Sequence, residues 1–231
     1  MQERLTRQNR KDQTRRRLIE AAAVVFADRG FEAATIDEVA AAAGYTKGAV
    51  YSNFASKTDL FVALIERRIE IQAAYQASRL EGKGRQAAAE SVEGWTPFDE
   101  GSERRWMILA MEFWLHAMRD PKARESLAGQ YRTARTIAAS LLQAYYDRVK
   151  EQPPMRPRDL AIVTEALGIG VTFQAMLDPE DVPWSLNGDL DASEIDARNA
   201  PYLALARLLR LPLIELQAAE TEPTAEGEVP G

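Results

Sequence analysis

A chain of 231 residues with 46% hydrophobic content can bury the core of one large or two modest domains, and its lack of cysteine excludes disulfides, thiolate metal sites and cysteine nucleophiles. No uninterrupted apolar run approaches the roughly 20 residues that cross a bilayer, and the N-terminus has no apolar signal region, so the expectation is a cytoplasmic protein that stays off the membrane. The net charge of −6 conceals a division: residues 1–57 carry ten Lys/Arg against seven Asp/Glu and the remainder 19 against 28, so a nucleic-acid surface belongs in the N-terminal part.

Residues 1–11 are expected to form a basic, flexible arm, with Arg4, Arg7, Arg10 and Lys11 against Glu3 and little to bury. It reads either as a solvated tail or as an arm that tracks phosphates or the minor groove. A first helix follows from Asp12 to Arg29, its stripe of Ile19, Ala22, Ala23 and Phe26 closed by Gly30 and Phe31 as a C-terminal cap. Thr35, with Glu38 three residues on, has the spacing of a capping box, so a second helix starts there. Ile36, Val39, Ala40 and Ala43 recur at helical spacing, Gly44 ends the helix, and Thr46 caps a third in which Val50 and Phe54 return to the shared apolar face. Two helices this short and this closely joined cross steeply, with the small Ala40 at the crossing. Such is the layout of a helix-turn-helix; its bland alternative is an αα corner.

The third helix begins unlike its neighbours. Thr35 is followed at the third position by Glu38 and Ser56 by Asp59, but Thr46 by Ala49, so Thr46-Lys47-Gly48 leaves the positive end of the helix open to an external anion. Gly48 costs about 1 kcal/mol of helix propensity relative to Ala, a loss that close approach of a groove wall offsets. Tyr51 and Asn53 carry hydrogen-bonding ends suited to phosphates or base edges.

Gly44-Tyr45-Thr46-Lys47-Gly48-Ala49-Val50-Tyr51-Ser52-Asn53-Phe54, followed by Ser56-Lys57 and Leu60, is similar to the turn, recognition helix and fourth-helix start of the TetR family of bacterial transcriptional regulators. The resemblance covers residues 12–66, and Glu112-Phe113-Trp114 to Arg119-Asp120-Pro121 resembles a helix end found in some subgroups. It implies an all-α homodimer whose N-terminal domains bind a two-fold symmetric double-stranded DNA operator, usually as a repressor, and whose larger domain binds a small-molecule effector that releases the DNA. By position it implies that Lys47, Ala49, Tyr51, Ser52 and Asn53 meet bases and phosphates, and that Thr35 and Lys57 meet backbone phosphates. Ala49 offers a methyl contact alone, which moves base reading toward Lys47, Asn53 and Tyr45. With Thr46 and Gly48 at the open helix start, these residues make up the expected DNA surface.

Ser56 caps a fourth helix reaching about Arg79, with Leu60, Phe61, Leu64 and Ile65 among its apolar positions. Residues 80–103, punctuated by Gly82, Gly84, Gly94, Pro97 and Gly101, read as a loop with at most one short helix near 85–93. From Arg104 to Arg119 the sequence is apolar nearly all round, as in a buried helix. Its Trp106, Met107, Ala110, Met111, Phe113 and Trp114 are either core or the lining of a largely apolar effector site, to which Tyr131 and Phe173 are added from later helices. Glu112 and His116, at i and i+4, are placed to pair, with His116 as a core group or a polar group of that site; no metal site is expected.

Asp120-Pro121 breaks the chain before a long helix from Lys122 to Lys150, and Pro153, Pro154 and Pro157 enforce a turn. The next helix, 158–177, spaces Ala161, Gly168 and Ala175 seven residues apart and reads as half of a dimer interface, or else as an internal helix. Its partner is a last helix, 199–210, beyond a connector at 178–198, so that two copies of the pair form an intersubunit four-helix bundle.

The expectation is thus an all-α chain of about nine helices: a basic arm (1–11), a three-helix DNA-binding domain with a helix-turn-helix (12–56), a helical ligand-binding and dimerisation domain (57–216), and a disordered acidic tail (217–231). With one histidine, no cysteine, no Gly-rich phosphate loop after a strand and no nucleophile elbow, nothing points to catalysis or to a cofactor. The alternatives are a helical-bundle enzyme and a DNA-binding protein without an effector.

Overall fold

The computed structural model describes residues 7–80, 90, 100–178 and 180. Most of the loop near 80–103, the 178–198 connector, the last helix at 199–210, the acidic tail and the first six residues of the arm lie outside the described residues. Among those described there are seven helices and no strand: α1 (Arg7–Arg29), α2 (Ile36–Ala43), α3 (Lys47–Tyr51), α4 (Lys57–Leu80), α5 (Glu100–Arg119), α6 (Pro121–Val149) and α7 (Pro157–Leu177).

Local chemistry sets most of these bounds. α1 starts five residues before the expected Asp12, so residues 7–11 of the arm are helical; Arg, Gln and Lys are good helix formers, and the Thr14 hydroxyl donates back to the Arg10 carbonyl at 2.9 Å. The capping box at the head of α2 is complete, with Glu38 N–H donating to Thr35 Oγ1 at 3.2 Å and Thr35 N–H to Glu38 Oε2 at 2.9 Å. Gly44, at φ 71°, ends α2 in the left-handed region and sends its N–H back to the last turn. Ser56 Oγ accepts from Asp59 N–H at 3.0 Å and caps α4. At the head of α7, Pro157 takes the first helical position, where a missing N–H costs nothing.

Two compact units divide the chain. The first joins residues 1–76 to 85–134, and so unites α1–α3 with most of α4, α5 and the first half of α6. Positions 56 and 57 both fall within this unit. Its core explains why: Leu18, Phe26, Val39, Val50, Leu60 and Phe61 form one cluster with Leu109, Phe113, Ala117 and Leu127. Phe31 and Phe61 anchor it, with ring centroids 5.1 Å apart, and Phe113 stacks on Phe61 at 4.3 Å. At roughly 25 cal/mol per Å² of apolar area removed from water, burying such rings is the main force holding α5 to the helix-turn-helix.

The second unit, residues 77–84 and 135–231, centres on Leu142, Tyr145 and Tyr146 of α6 against Leu160 and Ala161 of α7. Arg135 Nε meets Glu165 Oε2 at 2.6 Å across the two helices. α7 is long and apolar enough by composition to cross a membrane, with mean hydropathy 1.6 and 22% of its most apolar window buried, although Glu165 interrupts its apolar run. Ile162, Val163, Phe173 and Leu177 of α7 are exposed.

Candidate nucleic-acid interface

The first unit presents α3 by its open end. Thr46 Oγ1 accepts from Ala49 N–H at 3.2 Å, which satisfies one donor, and no acidic residue occupies the first turn. Lys47 and Gly48 are exposed. A Cβ added at Gly48 meets nothing nearer than Thr46 Oγ1 at 3.8 Å, so no packing inside the protein requires glycine there. Tyr51 is 50% exposed, and Ser52, also exposed, donates to the Ala49 carbonyl at 2.8 Å. Thr35 lies exposed at the head of α2, and Ala49 is half-buried.

Lys47 is already engaged. Its ammonium lies 2.8 Å from Asp37 Oδ2 of α2, both groups being solvent-exposed, and this carboxylate holds the ammonium above its usual pKa. Asp37 is a residue that the sequence reading passed over; it is recognisable afterwards as the one acid in the first turn of α2 not used by the capping box. Glu38 is held below the usual carboxyl range by Thr35, through its N–H and then its hydroxyl, with Arg29 adding an ion pair at 3.0 Å.

Asn53, Tyr45 and Lys57, also expected DNA contacts, turn toward the protein. Asn53 folds back on its own helix, its amide donating to the Ala49 carbonyl at 2.9 Å and Ser52 Oγ at 3.3 Å, while its Oδ1 is buried without a hydrogen bond. Tyr45 is half-buried against the core, and the Thr14 hydroxyl, then the Arg17 guanidinium, hold its phenol below the usual range by hydrogen bonding. Lys57 donates to the carbonyls of Phe31, Glu32 and Ala34 at 2.7, 3.0 and 3.0 Å, so all three ammonium protons are used inside the protein. The sequence placed these side chains on the right elements but not their directions, which depend on α1 and on the α1–α2 turn.

Residues missed by the sequence reading hold α3 in place. Arg15 of α1 lies 4.5 Å over the Phe54 ring and 3.4 Å from the Asn53 carbonyl, beyond the end of α3. The signal was the run Arg15-Arg16-Arg17, whose members differ in role by their position around α1.

The expected effector lining divides. Phe113 is fully buried against Phe31 and Phe61, and Trp106 is stacked parallel to Phe61 at 6.3 Å with Arg68 4.4 Å over its ring, so both serve the joint with the helix-turn-helix. Met107 is buried. The expected Glu112–His116 pairing gives way to two bonds to the α1–α2 turn: Glu112 Oε2 accepts from Phe31 N–H at 2.7 Å, and His116 Nδ1 lies 3.2 Å from Glu32 Oε1. Trp114 Nε1 donates to Tyr131 Oη at 2.8 Å, both half-buried, and Ala110 and Met111 are half-buried. Phe173 is exposed in the second unit. An open cleft of about 540 Å³ in that unit is lined by Thr136, Ala139, Ser140, Gln143, Ala144, Asp147 and Arg158, none of them expected lining residues.

Residues 18–64 match the family model of bacterial regulatory proteins, tetR family, and residues 84–185 match that of the BetI-type transcriptional repressor, C-terminal. The HTH-type transcriptional activator FasR of Mycolicibacterium smegmatis is 35% identical over 101 residues, covering 43% of this chain and 46% of that protein. The chain matches less than half the length of such curated relatives. A crystal structure of a TetR-family transcriptional regulator from Rhodococcus sp. superposes with a TM-score of 0.61 at 18% identity, covering 86% of this chain and 99% of that one. A transcriptional regulator from Saccharomonospora viridis, in complex with choline, superposes with a TM-score of 0.52 at 19% identity, covering 76% and 91%. At these identities the structural likeness is one of fold.

Proposed function

Since the chain belongs to the TetR family of bacterial regulatory proteins, we propose that it is a sequence-specific transcriptional regulator that binds a two-fold symmetric operator as a homodimer and is released by a small, largely apolar effector. The observation that carries this reading is the start of α3: an exposed helix N-terminus with Lys47 beside it, no acid in its first turn, and open space over Gly48. Such a helix end attracts phosphate, and an unfilled glycine surface admits a groove wall. Base reading falls to Tyr51, with the Ala49 methyl and Ser52 beside it, and Lys47 meets a phosphate; the N–H and hydroxyl of Thr35 both go to Glu38. Asn53, Tyr45 and Lys57 support the helix from within.

A second copy is the cover assigned to the exposed apolar side chains of α7. Glu165, paired with Arg135 in the middle of that helix, argues for a protein partner rather than a bilayer. In the dimer the two α3 helices enter successive major grooves about one helical turn, roughly 34 Å, apart on one face of the duplex. For the effector, Trp114, Tyr131 and Met111 are the half-buried side chains with apolar surface still available. The choline complex of the Saccharomonospora regulator is a precedent for a small-molecule effector on this fold. The protein works where the DNA is, in the cytoplasm, and is a regulator rather than an enzyme.

Selection of duplexes from a random-sequence pool tests the reading. A two-fold symmetric consensus is the expected result, and its occupancy by the protein should fall when the effector is added. Failure to enrich any sequence would refute it.

A further inference from the structure

The turn between α1 and α2 is held from outside at several points. α1 closes with Gly30 at φ +78°, its N–H bonded to the Phe26 carbonyl at 2.8 Å. The next N–H, that of Phe31, donates instead to Glu112 of α5 at 2.7 Å, across 81 positions of sequence. A carboxylate from another helix therefore takes the N–H that follows the cap glycine of α1. It sits so close over the turn that a Cβ on Gly30 would lie 2.7 and 2.9 Å from its two oxygens. The backbone angle favours glycine here, and any side chain would have to push the Glu112 carboxylate off the turn. One helical turn further along α5, His116 reaches Glu32 at 3.2 Å, and on the carbonyl side Lys57 binds Phe31, Glu32 and Ala34.

Hence the peptide groups flanking Phe31 are clamped between a carboxylate on their N–H side and an ammonium on their C=O side. Charge-assisted bonds of this kind are short, directional and about twice as strong as neutral ones. Thr35, the cap of α2, follows four residues after Phe31, so the clamp sets where α2 begins, and α2 carries α3 through the Gly44 turn.

We infer that Glu112 is a positioning residue for DNA recognition: by accepting the Phe31 N–H it fixes the α1–α2 turn, and with it the helix-turn-helix, against α5. The inference rests on the DNA-binding reading for its functional half. Its structural half stands without that reading.

The test compares Glu112→Ala with Glu112→Gln, which keeps an oxygen acceptor at the same reach, by amide hydrogen exchange and by binding to the selected operator and to random duplex. In Glu112→Ala the amides of residues 31–43 should exchange about tenfold or more faster while those of α7 stay unchanged. Operator affinity should fall about tenfold with random-duplex affinity and salt slope retained, and Glu112→Gln should restore most of both. If Glu112→Ala does not fold, Glu112→Asp, one methylene short of the Phe31 N–H, is read in its place. Exchange that rises evenly over the first unit, with an unchanged ratio of operator to random binding, would overturn the inference. A wild type that selects no duplex overturns the DNA reading alone, and the exchange pattern still decides whether Glu112 positions the turn.

Discussion

The ammonium of Lys57 lies 2.7 Å from the carbonyl oxygen of Phe31 and 4.7 Å from the centre of the same residue's ring. With two further carbonyls at 3.0 Å it has no proton left for a phosphate. Lys57 is thereby an internal tie between α4 and the α1–α2 turn. Its replacement by Met should cost about 1.5–3 kcal/mol of stability, the range for a hydrogen-bonded charge. The salt dependence of DNA binding should keep its slope, whereas loss of a phosphate contact would lower it by about one. Urea unfolding and a salt titration of binding measure the two.

Asp37 competes with DNA for Lys47. Removing its charge with Asp37→Asn frees the ammonium and takes an anion off the binding face, so affinity for operator and random duplex alike should rise by roughly two- to fivefold, the scale of an exposed ion pair. Lys47→Ala should weaken both and lower the salt slope by about one. Titrations of the two variants at several salt concentrations are the check.

Gly48 opposes stability and function in a measurable way. Since an added Cβ meets only Thr46 Oγ1, at an ordinary contact distance of 3.8 Å, Gly48→Ala should stabilise the fold by about 1 kcal/mol. The same methyl should stand between α3 and the groove and weaken operator binding. A higher melting temperature with lower affinity is the expected pair; higher stability with unchanged affinity would remove Gly48 from the interface.

The capping box gives a dependence on pH. Thr35 holds Glu38 below the ordinary carboxyl value of 4.5, so the carboxylate's contribution is fully present above that pH and is lost as pH falls through the lower, folded value. Wild type should therefore lose stability below about pH 4.5 faster than Glu38→Gln. Thermal unfolding of both proteins from pH 6 to pH 3 compares them.

Features written in adjacent residues were legible in the sequence. Thr35 with Glu38, Gly44, Thr46 and Ser56 act through the backbone within a turn, and each lies where its spacing placed it. Features that need a distant partner were not. Asn53 was expected to read bases for its polar end and by resemblance, and Tyr45 by resemblance; the Ala49 carbonyl takes the Asn53 amide, and Thr14 and Arg17 of α1 face the Tyr45 phenol. The helix around Phe113 was expected to be buried on two faces; one face packs on Phe31 of the α1–α2 turn and Phe61 of α4, whereas Ile108, Leu115 and Met118 are exposed. Glu112 and His116 looked like partners by their i, i+4 spacing; each found the α1–α2 turn first.

The central claim is that the exposed face of α3 reads DNA, and one binding measurement addresses it most directly. Purified protein is titrated onto labelled duplex from immediately upstream of its own gene, or onto a selected operator, at two salt concentrations beside Tyr51→Ala, whose side chain is exposed and buries no core. Tight, salt-dependent binding that the variant loses on this duplex, but not on random DNA, is the expected result. Equal binding of both proteins to operator and random duplex would contradict the account.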